Sequence, residues 1–417
     1  MTRSSIDGGR IERLAATLRS DLPPGRKLRQ ASWILGAIIT PAPIKTLILP
    51  LFRRPPVSEP IVSKASPYIV RERRSKRSGR ARVVHAIGNF QTGGSSQLVV
   101  DLIENLGDEF EQEVVTGFLP SPEAYVGVRI REFRADGSSK ALLEYLRSFD
   151  PKLLHVHYWE DRWYRQVFEA GRRFGAKIVE NVNTPVHPVI GDWVDQYVFV
   201  SEYVRRNFAL ALQRSRVIHP GSNLKVFSRP LAEVPVENCV GMVYRLERDK
   251  LDEQAIDVFI DVVRRRPQTR VLIVGGGSLL EGFQRAVSDA RLDSAFEFTG
   301  YVAYRDLPAL YRRLSIFVAP VWKESFGQVT SFAMGMALPV VGYDVGAVAD
   351  VVRDPELLAS PGDSAALAAI IVRLLDDRQR RVDLGRLNRE RAHGEFSVKA
   401  MVAEYRALYR DLLSTST

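Results

Sequence analysis

Short runs of apolar and β-branched residues alternate with longer amphipathic stretches from Arg82 onward, and this alternation restricts the fold more than any other feature of the chain. Runs of this kind predict strands, and the stretches between them predict helices, for example at 96–106 and 141–147. The predicted strands of this first set are residues 82–87, 113–116, 153–157, 177–179 and 197–200. Strands that alternate with helices form a parallel sheet with helices on both faces.

A second set of the same kind follows the loop at 219–223. Its predicted strands are residues 240–243, 271–274, 296–298, 316–319 and 339–341, and amphipathic helices at 365–375 and 399–412 close the chain. The sequence therefore predicts an α/β protein with two doubly wound, Rossmann-like domains, 81–225 and 226–396, that face a central cleft. Ligands of such sheets bind at the carboxyl ends of the strands. Residues 397–417 form a C-terminal helix that could cross back to the first domain.

Residues 1–80 form a basic, partly apolar extension. The chain has a formal net charge of +10, but residues 1–84 contain 18 Lys and Arg against 5 Asp and Glu, so the remainder carries a net charge of −3. The apolar tract at 31–52 is interrupted by Pro41, Pro43 and Lys45, whereas a spanning helix needs about 20 uninterrupted apolar residues. Two interpretations stay open: attachment to the anionic inner face of the cytoplasmic membrane, or packing on the body of the protein. Nucleic-acid binding is not expected, because no stacking aromatics alternate with the basic residues.

The composition fits a globular protein with two ordinary domains, since 45% of the 417 residues are hydrophobic. The single cysteine, Cys239, excludes an internal disulfide framework and a zinc or iron–sulfur site built from several thiolates. A reducing, cytoplasmic location is the default expectation.

Residues 324–328 read Glu-Ser-Phe-Gly-Gln and lie between a predicted strand and a predicted helix. A carboxylate here can accept hydrogen bonds from sugar hydroxyls, and the free N–H groups of a helix start can bind phosphate. We therefore expect a pocket for a polar ligand that carries phosphate, lined by Glu324, Ser325, Phe326, Gly327 and Gln328; the resemblance described below implies that this ligand is a sugar donor. Ser325 followed by Gln328 also fits a capping box, which is compatible with ligand binding.

Three more segments lie where the cleft is expected. Gly93 and Gly94 follow the first strand and allow a ligand to approach the backbone closely, although they lack the GxGxxG pattern of a nicotinamide enzyme. Arg245 and Lys250 follow the first strand of the second domain and could neutralise a diphosphate, or form a solvated loop. Gly276, within three consecutive glycines, could offer a further backbone pocket or serve as a turn.

The histidines give weaker signals. His155 and His157 lie at the end of a predicted strand that points at the cleft, and His187 lies in a proline-flanked loop. Two histidines at i and i+2 could begin a metal site, but no carboxylate cluster completes one, so no metal is expected. We assign His157 and His187 to the acceptor side of the cleft, with a structural role open for each.

From Arg82 to its end the chain resembles the retaining glycosyltransferases of family 4, which have the GT-B fold. The elements that carry the resemblance are Gly93-Gly94, Arg245 with Lys250, the glycines 275–277, Gly300, Leu310-Tyr311, and segment 320–346 with its Glu-Ser-Phe-Gly, Leu-Pro-Val-Val and Asp-Val-Gly motifs. The resemblance implies that Arg245 and Lys250 stabilise the departing diphosphate and that Glu324 binds the donor sugar, so these three are the expected catalytic residues.

The resemblance also implies further donor contacts. The N–H groups near Gly327 and Gln328 would bind the phosphates, while Gly93 and Gly94 would approach the donor from the first domain. In these enzymes the acceptor attacks on the face that the diphosphate leaves. Catalysis then rests on positioning and charge stabilisation, and no protein nucleophile, metal or other cofactor is required.

Three positions depart from the family pattern. The second glutamate of the family, which contacts the ribose, is replaced by Phe332. The family's histidine near the donor sugar corresponds to Asn183, which we place on the acceptor side, and a usual glycine is replaced by Ala337. The first departure affects nucleotide recognition and the second affects contacts at the sugar.

The implied function is transfer of a sugar from a nucleotide diphosphate sugar to a hydroxyl of a cell-surface glycan or lipid-linked saccharide. Two alternatives fit the same fold. One is a catalytically silent binding or scaffold protein, which the substitutions at 183 and 332 would favour. The other is a nucleotide-sugar epimerase, which would convert its donor without an acceptor.

Overall fold

The computed structural model describes residues 68–71, 79–91, 93–121, 123–134, 139–208, 214–230 and 237–414. These residues belong to one compact unit, residues 66–417. The apolar tract at 31–52 lies outside the described residues, so membrane attachment and packing on the body both stay open for the basic extension. Within the described ranges, none of the helices combines the length and the apolar character that crossing a bilayer requires.

The first half of the described chain folds around a parallel sheet. Its strands are β1 (Tyr68–Ile69), β2 (Ala81–Ile87), β3 (Phe110–Thr116), β4 (Tyr125–Val126), β5 (Ile130–Glu132), β6 (Leu153–Tyr158), β7 (Lys177–Val182), β8 (Gln196–Phe199) and β9 (Ser215–Val217). Its helices are α1 (Gly94–Leu106), α2 (Lys140–Phe149), α3 (Trp163–Phe174) and α4 (Glu202–Asn207). Seven strands form the sheet in the order β5-β3-β2-β6-β7-β8-β9, and β1 pairs with β4 separately.

The second half repeats this architecture. Its strands are β10 (Cys239–Val243), β11 (Arg270–Val274), β12 (Phe296–Phe298), β13 (Ile316–Ala319), β14 (Val340–Tyr343) and β15 (Leu358–Ala359), in the order β12-β11-β10-β13-β14-β15. Its helices are α5 (Asp257–Arg265), α6 (Leu280–Asp289), α7 (Leu307–Tyr311), α8 (Gln328–Gly335), α9 (Val348–Val352), α10 (Ser364–Asp376) and α11 (Arg378–Glu395). All pairings in this sheet are parallel. The predicted pair of Rossmann-like sheets is confirmed.

The strand order of each sheet creates one point where ligands are expected. In the first sheet the chain runs from β2 outward to β3, then returns to pair β6 with the other edge of β2. In the second sheet it runs from β10 outward to β11 and β12, then returns as β13 beside β10. Loops that leave such a pair of strands diverge to opposite faces, so a crevice opens between them at the carboxyl ends of the strands.

The last helix, α12 (Val398–Ser414), follows the second half of the chain but packs on the first sheet. Tyr405 and Tyr409 are fully buried there, and the Tyr409 hydroxyl lies 2.7 Å from His155 Nδ1. Arg406 donates to the Glu109 carboxylate over 2.6 Å. The helix therefore joins the end of the chain to the beginning of the described fold.

Candidate active site between the two sheets

The predicted donor motif lies at the switch point of the second sheet, between the end of β13 and the start of α8. Gly327 is the residue before α8 and has a φ of +86°, a left-handed conformation that favours glycine. A Cβ at this position would also lie 3.2 Å from Glu324 Cγ. The capping box predicted for Ser325 and Gln328 is wrong, because the turn at Gly327 makes that glycine the cap and no side chain caps α8. The first N–H groups of α8 are therefore not occupied by a capping side chain.

Lys250 and Glu324 form an ion pair in this crevice, as Lys250 Nζ donates to Glu324 Oε1. The Glu324 side chain is only 3% exposed, whereas that of Lys250 is 33% exposed. The same Oε1 accepts the Ser325 N–H over 3.0 Å. Lys250 follows β10 and Glu324 follows β13, which are neighbouring strands, so the sheet topology itself brings the two charges together.

Arg245 does not join this pair. Its guanidinium is 70% exposed and donates to Asp249 over 2.8 Å, one helical turn further along the loop. An exposed pair of this type contributes little to stability, because water and salt screen it. Arg245 can therefore leave Asp249 for another anion with little loss of free energy, whereas Lys250 is already held beside Glu324.

The glycine loop after β11 packs directly on the loop that carries Arg245. Leu246 N–H donates to the Gly276 carbonyl over 3.0 Å, and a Cβ at Gly275 would lie 1.8 Å from the Tyr244 carbonyl oxygen. Gly276 itself borders Tyr301, whose backbone nitrogen would lie 3.3 Å from an added Cβ. The two backbones approach so closely that position 275 has no room for a side chain, which explains its glycine. Gly276 lines the same edge of the sheet.

The two sheets meet at the start of α8. Gln328 Nε2 donates to the Gly221 carbonyl over 2.8 Å, and Gln328 Oε1 would lie 3.6 Å from a Cβ added to Gly94. The Ser201 hydroxyl donates to the Ser325 carbonyl over 2.5 Å. Gly94, in the glycine turn after β2, therefore faces the donor motif, and the binding of a donor by Gly93 and Gly94 stays a prediction.

Two predicted site residues lie in the interior instead. Phe326 is buried, stacked on His219 at 5.3 Å between ring centroids and packed edge-on against Phe396. His157 is fully buried on β6, with its Nε2 3.3 Å from Nδ1 of His85. Phe326 as a donor contact and His157 as an acceptor contact are both wrong, since neither side chain reaches the crevice.

The other two acceptor-side residues follow β7. Asn183 is half-buried and its Oδ1 accepts from Asn181 Nδ2 over 2.6 Å, while its own buried Nδ2 has no partner among the described residues. His187 is half-buried and packs edge-on against Phe208, with 5.0 Å between ring centroids. The buried Nδ2 of Asn183 is thus not exposed to a ligand in this arrangement.

The loop that carries both residues is tied to a buried carboxyl group. Glu180, on β7, accepts the Val189 N–H at 2.9 Å and 3.1 Å with its two oxygens. Burial raises the pKa of Glu180 to about 8. The carboxyl group is therefore largely protonated near neutral pH.

Sequence reasoning missed two sets of residues. His85 joins His155 and His157 in a buried group whose ring nitrogens lie within 4.8 Å of one another, the arrangement that a metal ion would require. Burial lowers the pKa of His85 to about 4, so the ring is neutral. The three rings pack under α12, and the hydroxyl of Tyr409 bonds one of them. Pairing β2 with β6 would have revealed the group, because His85 lies beside His155 in that register.

The second missed set lines a cavity at the switch point of the first sheet. It includes Phe118, Trp159, Asp161 and Trp163, which follow the carboxyl ends of β3 and β6. Aromatic residues next to a strand are usually core residues, and a local pattern does not distinguish them from residues that line a cavity.

Comparison with known proteins agrees with this geometry. A family model, glycosyl transferases group 1, matches residues 237–377. The 2-deoxystreptamine glucosyltransferase of Streptomyces kanamyceticus is 32% identical over 176 residues, which are 42% of this chain and 45% of that protein. A GDP-mannose-dependent alpha-(1-6)-phosphatidylinositol monomannoside mannosyltransferase of Mycobacterium tuberculosis is 29% identical over 226 residues, 48% of this chain and 58% of that protein.

The structural likeness extends over both sheets. HepE from Anabaena, solved in complex with UDP and glucose, aligns with a TM-score of 0.66 at 15% identity and covers 79% of this chain and 100% of its own. The fold is GT-B. The chain spans about half the length of the curated relatives named above. The family model and these relatives support the GT-B glycosyltransferase superfamily, with the matched segment containing Arg245, Lys250 and Glu324.

Proposed function

We propose that the protein is a retaining glycosyltransferase that moves a sugar from a nucleotide diphosphate sugar to a hydroxyl of a cell-surface glycan or lipid-linked saccharide. The observation that carries this proposal is the ion pair of Lys250 with the buried Glu324 at the switch point of the second sheet. The named relatives are glycosyltransferases, and HepE was solved with UDP and glucose, which supports a nucleotide sugar as the donor.

The ion pair suggests how the donor is received. The diphosphate competes for Lys250, and Arg245 moves from Asp249 to the same phosphates because its present partner holds it weakly. Glu324 then accepts hydrogen bonds from sugar hydroxyls in place of the lysine, so that its buried charge keeps polar partners. The first N–H groups of α8 add a positive partial charge toward the phosphates.

The transfer step balances without a protein nucleophile. The acceptor oxygen forms a bond to the anomeric carbon while the bond from that carbon to the diphosphate oxygen breaks, and the electron pair leaves with the diphosphate. The acceptor proton passes to the departing diphosphate on the same face of the sugar. Lys250 and Arg245 stabilise the negative charge that develops on the leaving group, which is the main electrostatic contribution that the protein makes.

Phe332 indicates that ribose recognition differs from the family pattern. Its ring is buried and stacks on Phe227 with 3.9 Å between centroids and 5° between planes, and Tyr304 packs edge-on against it. The ribose hydroxyls must therefore find partners elsewhere. Binding of the nucleoside diphosphate rests on the phosphate contacts more than on the ribose.

The proposal is tested by thermal-shift titration with UDP, GDP and ADP, followed by incubation with the corresponding nucleotide sugars. Binding to the folded state raises the melting temperature by mass action. We expect one nucleoside diphosphate to stabilise the protein and Lys250→Ala to weaken its binding by about 10- to 100-fold, the loss of one charge-assisted contact. Lys225→Ala is the matched control, because Lys225 is exposed on the linker between the two sheets.

The reaction products separate the alternatives. Release of nucleoside diphosphate that depends on an added acceptor supports the transferase. Conversion of the donor sugar without an acceptor would indicate an epimerase, and saturable binding with no turnover on any acceptor would indicate a silent binding protein. Unchanged nucleoside diphosphate affinity in Lys250→Ala and in Arg245→Ala would contradict the assignment of the diphosphate site.

A further inference from the structure

Three histidines of the first sheet form a buried group beneath α12. His85 lies on β2 and pairs in register with His155 on the neighbouring strand β6. His157 follows two residues later on β6, so its side chain points to the same face of the sheet as that of His155. All three side chains are fully buried. Within the described ranges, this is the one set of three His, Cys, Asp or Glu side chains that is placed to bind a metal ion.

The spacing of the ring nitrogens fits a zinc ion. His85 Nδ1 and His157 Nε2 lie 3.3 Å apart. Two ligands of a tetrahedral zinc ion are about 3.3–3.4 Å apart, since each zinc–nitrogen bond is about 2.0–2.1 Å long. One nitrogen from each of the three rings lies within 4.8 Å of the other two. The third ring therefore has to approach by no more than about 1.5 Å, and rotation of a histidine about its broad χ2 well can supply such a shift.

Gln112 determines which nitrogen of His85 carries the proton. Gln112 Nε2 donates to the Leu102 carbonyl over 3.3 Å, so Gln112 Oε1 is the atom that accepts from His85 Nε2 over 3.0 Å. The lone pair of the neutral His85 ring therefore lies on Nδ1, the nitrogen that faces His157. A metal-binding histidine commonly donates its other ring N–H to an oxygen atom in this way, which holds the ring in place.

Tyr409 supports the ring of His155 from α12. Its hydroxyl lies 2.7 Å from His155 Nδ1. When Nδ1 donates its proton to this hydroxyl, the lone pair of His155 lies on Nε2, which is buried and has no hydrogen-bond partner among the described residues. A buried nitrogen without a partner costs free energy, so a group that binds to it stabilises the fold.

We propose that the group is a structural site for a divalent transition-metal ion of the zinc type, bound by His85 Nδ1, His155 Nε2 and His157 Nε2. Imidazole nitrogens are typical ligands of zinc, whereas magnesium and calcium select oxygen atoms. The fourth position of a tetrahedral ion takes hydroxide, because zinc lowers the pKa of bound water to about 7 and the hydroxide offsets part of the buried charge. The site takes no part in sugar transfer, since it lies under α12 and not in the crevice.

An ion at this position attaches the end of the chain to the first sheet. Its ligands come from β2 and β6, and Tyr409 of α12 supports one of them. Because the unfolded chain has no preformed site, the free energy of metal binding adds to that of folding. The helix covers the group, so the ion enters while the protein folds or while α12 is displaced. Chelators should therefore remove the ion slowly from the folded protein.

The first test is the metal content of the full-length protein without a histidine tag. The protein is produced in medium supplemented with zinc or with cobalt and then dialysed against metal-free buffer. We expect stoichiometric zinc by mass spectrometry, and the visible absorption of tetrahedral cobalt in the cobalt-loaded protein. His155→Gln should lose both signals. His393→Gln is the matched control and should keep both, because His393 is an exposed histidine on α11.

Tyr409→Phe keeps the inference testable if His155→Gln does not fold. This variant leaves the three ligands in place but removes the hydroxyl beside His155, and we expect zinc affinity to fall by about 10- to 100-fold, the usual effect of losing such a partner. Tyr405→Phe is the matched control. Tyr405 lies one turn earlier in α12 and is equally buried, but its hydroxyl donates to Asn181 and not to a histidine. Competition with a zinc-binding dye measures the affinities.

The outcomes decide the inference without reference to sugar transfer. Zinc that is retained by the unmodified protein and by His393→Gln, lost from His155→Gln and bound more weakly only by Tyr409→Phe supports the site. Failure of the unmodified protein to retain zinc or cobalt would overturn it and leave a hydrogen-bonded group of neutral histidines. Equal zinc affinities of Tyr409→Phe and Tyr405→Phe would also overturn it. None of these results depends on turnover of a nucleotide sugar, so the proposed function is tested separately.

Discussion

At the residue scale, the ion pair of Lys250 and Glu324 makes the donor site sensitive to loss of either partner. Lys250→Ala leaves a carboxylate buried without its cation, and we expect the free energy of unfolding to fall by about 1–3 kcal/mol, less than for a fully buried pair because Lys250 is one-third exposed. Adding Glu324→Gln to this variant should restore part of the loss, since the amide carries no charge. Urea unfolding of the two single variants and the double variant measures the coupling. Strictly additive effects would contradict a direct interaction.

Phe332 provides a second residue-scale prediction. Restoring the family's glutamate with Phe332→Glu would place a carboxylate against Phe227 and Tyr304 inside an aromatic cluster. We expect a loss of about 3–5 kcal/mol, or failure to fold, because a buried charge without a partner is among the most destabilising changes. Phe332→Leu is the control and should cost about 1 kcal/mol as a smaller apolar replacement. A glutamate variant as stable as the leucine variant would show that this position faces solvent.

The sequence predicted which backbone segments meet in the cleft better than it predicted which side chains do. Lys250 and Glu324 could be brought together from the pattern alone, because both follow strands that a doubly wound sheet places side by side. Phe326 could not be assigned correctly, since its burial depends on His219 and Phe396, which lie 107 and 70 positions away in the sequence. A local sequence motif does not reveal that distant segments will bury one of its residues.

At the scale of elements, β7 and the loop that follows it should respond to pH through Glu180. Burial raises the pKa of Glu180 in the folded state to about 8, whereas the unfolded value is about 4.5. The folded state therefore binds more protons between these values, and its stability falls as pH rises from about 5 to about 8. Glu180→Gln imitates the protonated form, so its advantage in melting temperature over the unmodified protein should grow across that range.

The control for this prediction is Glu169→Gln on the exposed face of α3, where Glu169 pairs with Arg173 at 3.4 Å. Its difference in melting temperature from the unmodified protein should stay nearly constant from about pH 5 to about pH 8, because Glu169 is exposed and water screens its charge. If the gain in melting temperature from Glu180→Gln were equally independent of pH, the carboxyl group of Glu180 would be ionised in the folded state. Melting curves at four pH values decide between the two results.

Strand β7 also shows why some strands predicted from the sequence were shorter than the observed strands. The apolar pattern ends at Val179, but β7 continues through Glu180 and Asn181 to Val182. Glu180 is paired with the Val189 N–H, and Asn181 Oδ1 accepts from the Tyr405 hydroxyl over 2.5 Å. Polar residues can occupy a buried strand when distant groups satisfy them, and the sequence pattern does not reveal those partners.

At the scale of the whole molecule, the charge distribution leads to a prediction about binding to anionic membranes. The first 84 residues carry a net charge of +13, although the apolar tract among them lies outside the described structure. Replacing Arg71, Arg73, Arg74, Lys76 and Arg77 by glutamine should weaken binding to vesicles that contain phosphatidylglycerol, by about 1 kcal/mol for each charge near the surface. Co-sedimentation measures this, with pure phosphatidylcholine vesicles as the uncharged comparison. Equal binding of both proteins to both vesicles would contradict an electrostatic attachment.

The C-terminal helix makes the stability of the first domain depend on the end of the chain. Leu408 and Tyr409 of α12 are buried against Leu98, Leu102 and Phe110 of the first domain. Fully burying each large apolar side chain contributes about 1.5–3 kcal/mol, so a chain that ends at residue 396 should lose most of the stability of that domain. Removing residues 415–417 is the control and should leave the melting temperature unchanged.

A milder variant keeps this prediction testable if the truncated chain does not fold. Tyr405→Phe removes only the hydroxyl that Asn181 accepts from, in the interior between α12 and β7. We expect the whole GT-B unit to unfold in one transition at a lower temperature, with a loss of about 1–3 kcal/mol for the unsatisfied amide oxygen. Two separate transitions, with only the first shifted, would show that the sheets unfold independently and that α12 does not couple them. Calorimetry distinguishes these results, because coupled domains share one peak and uncoupled domains give two.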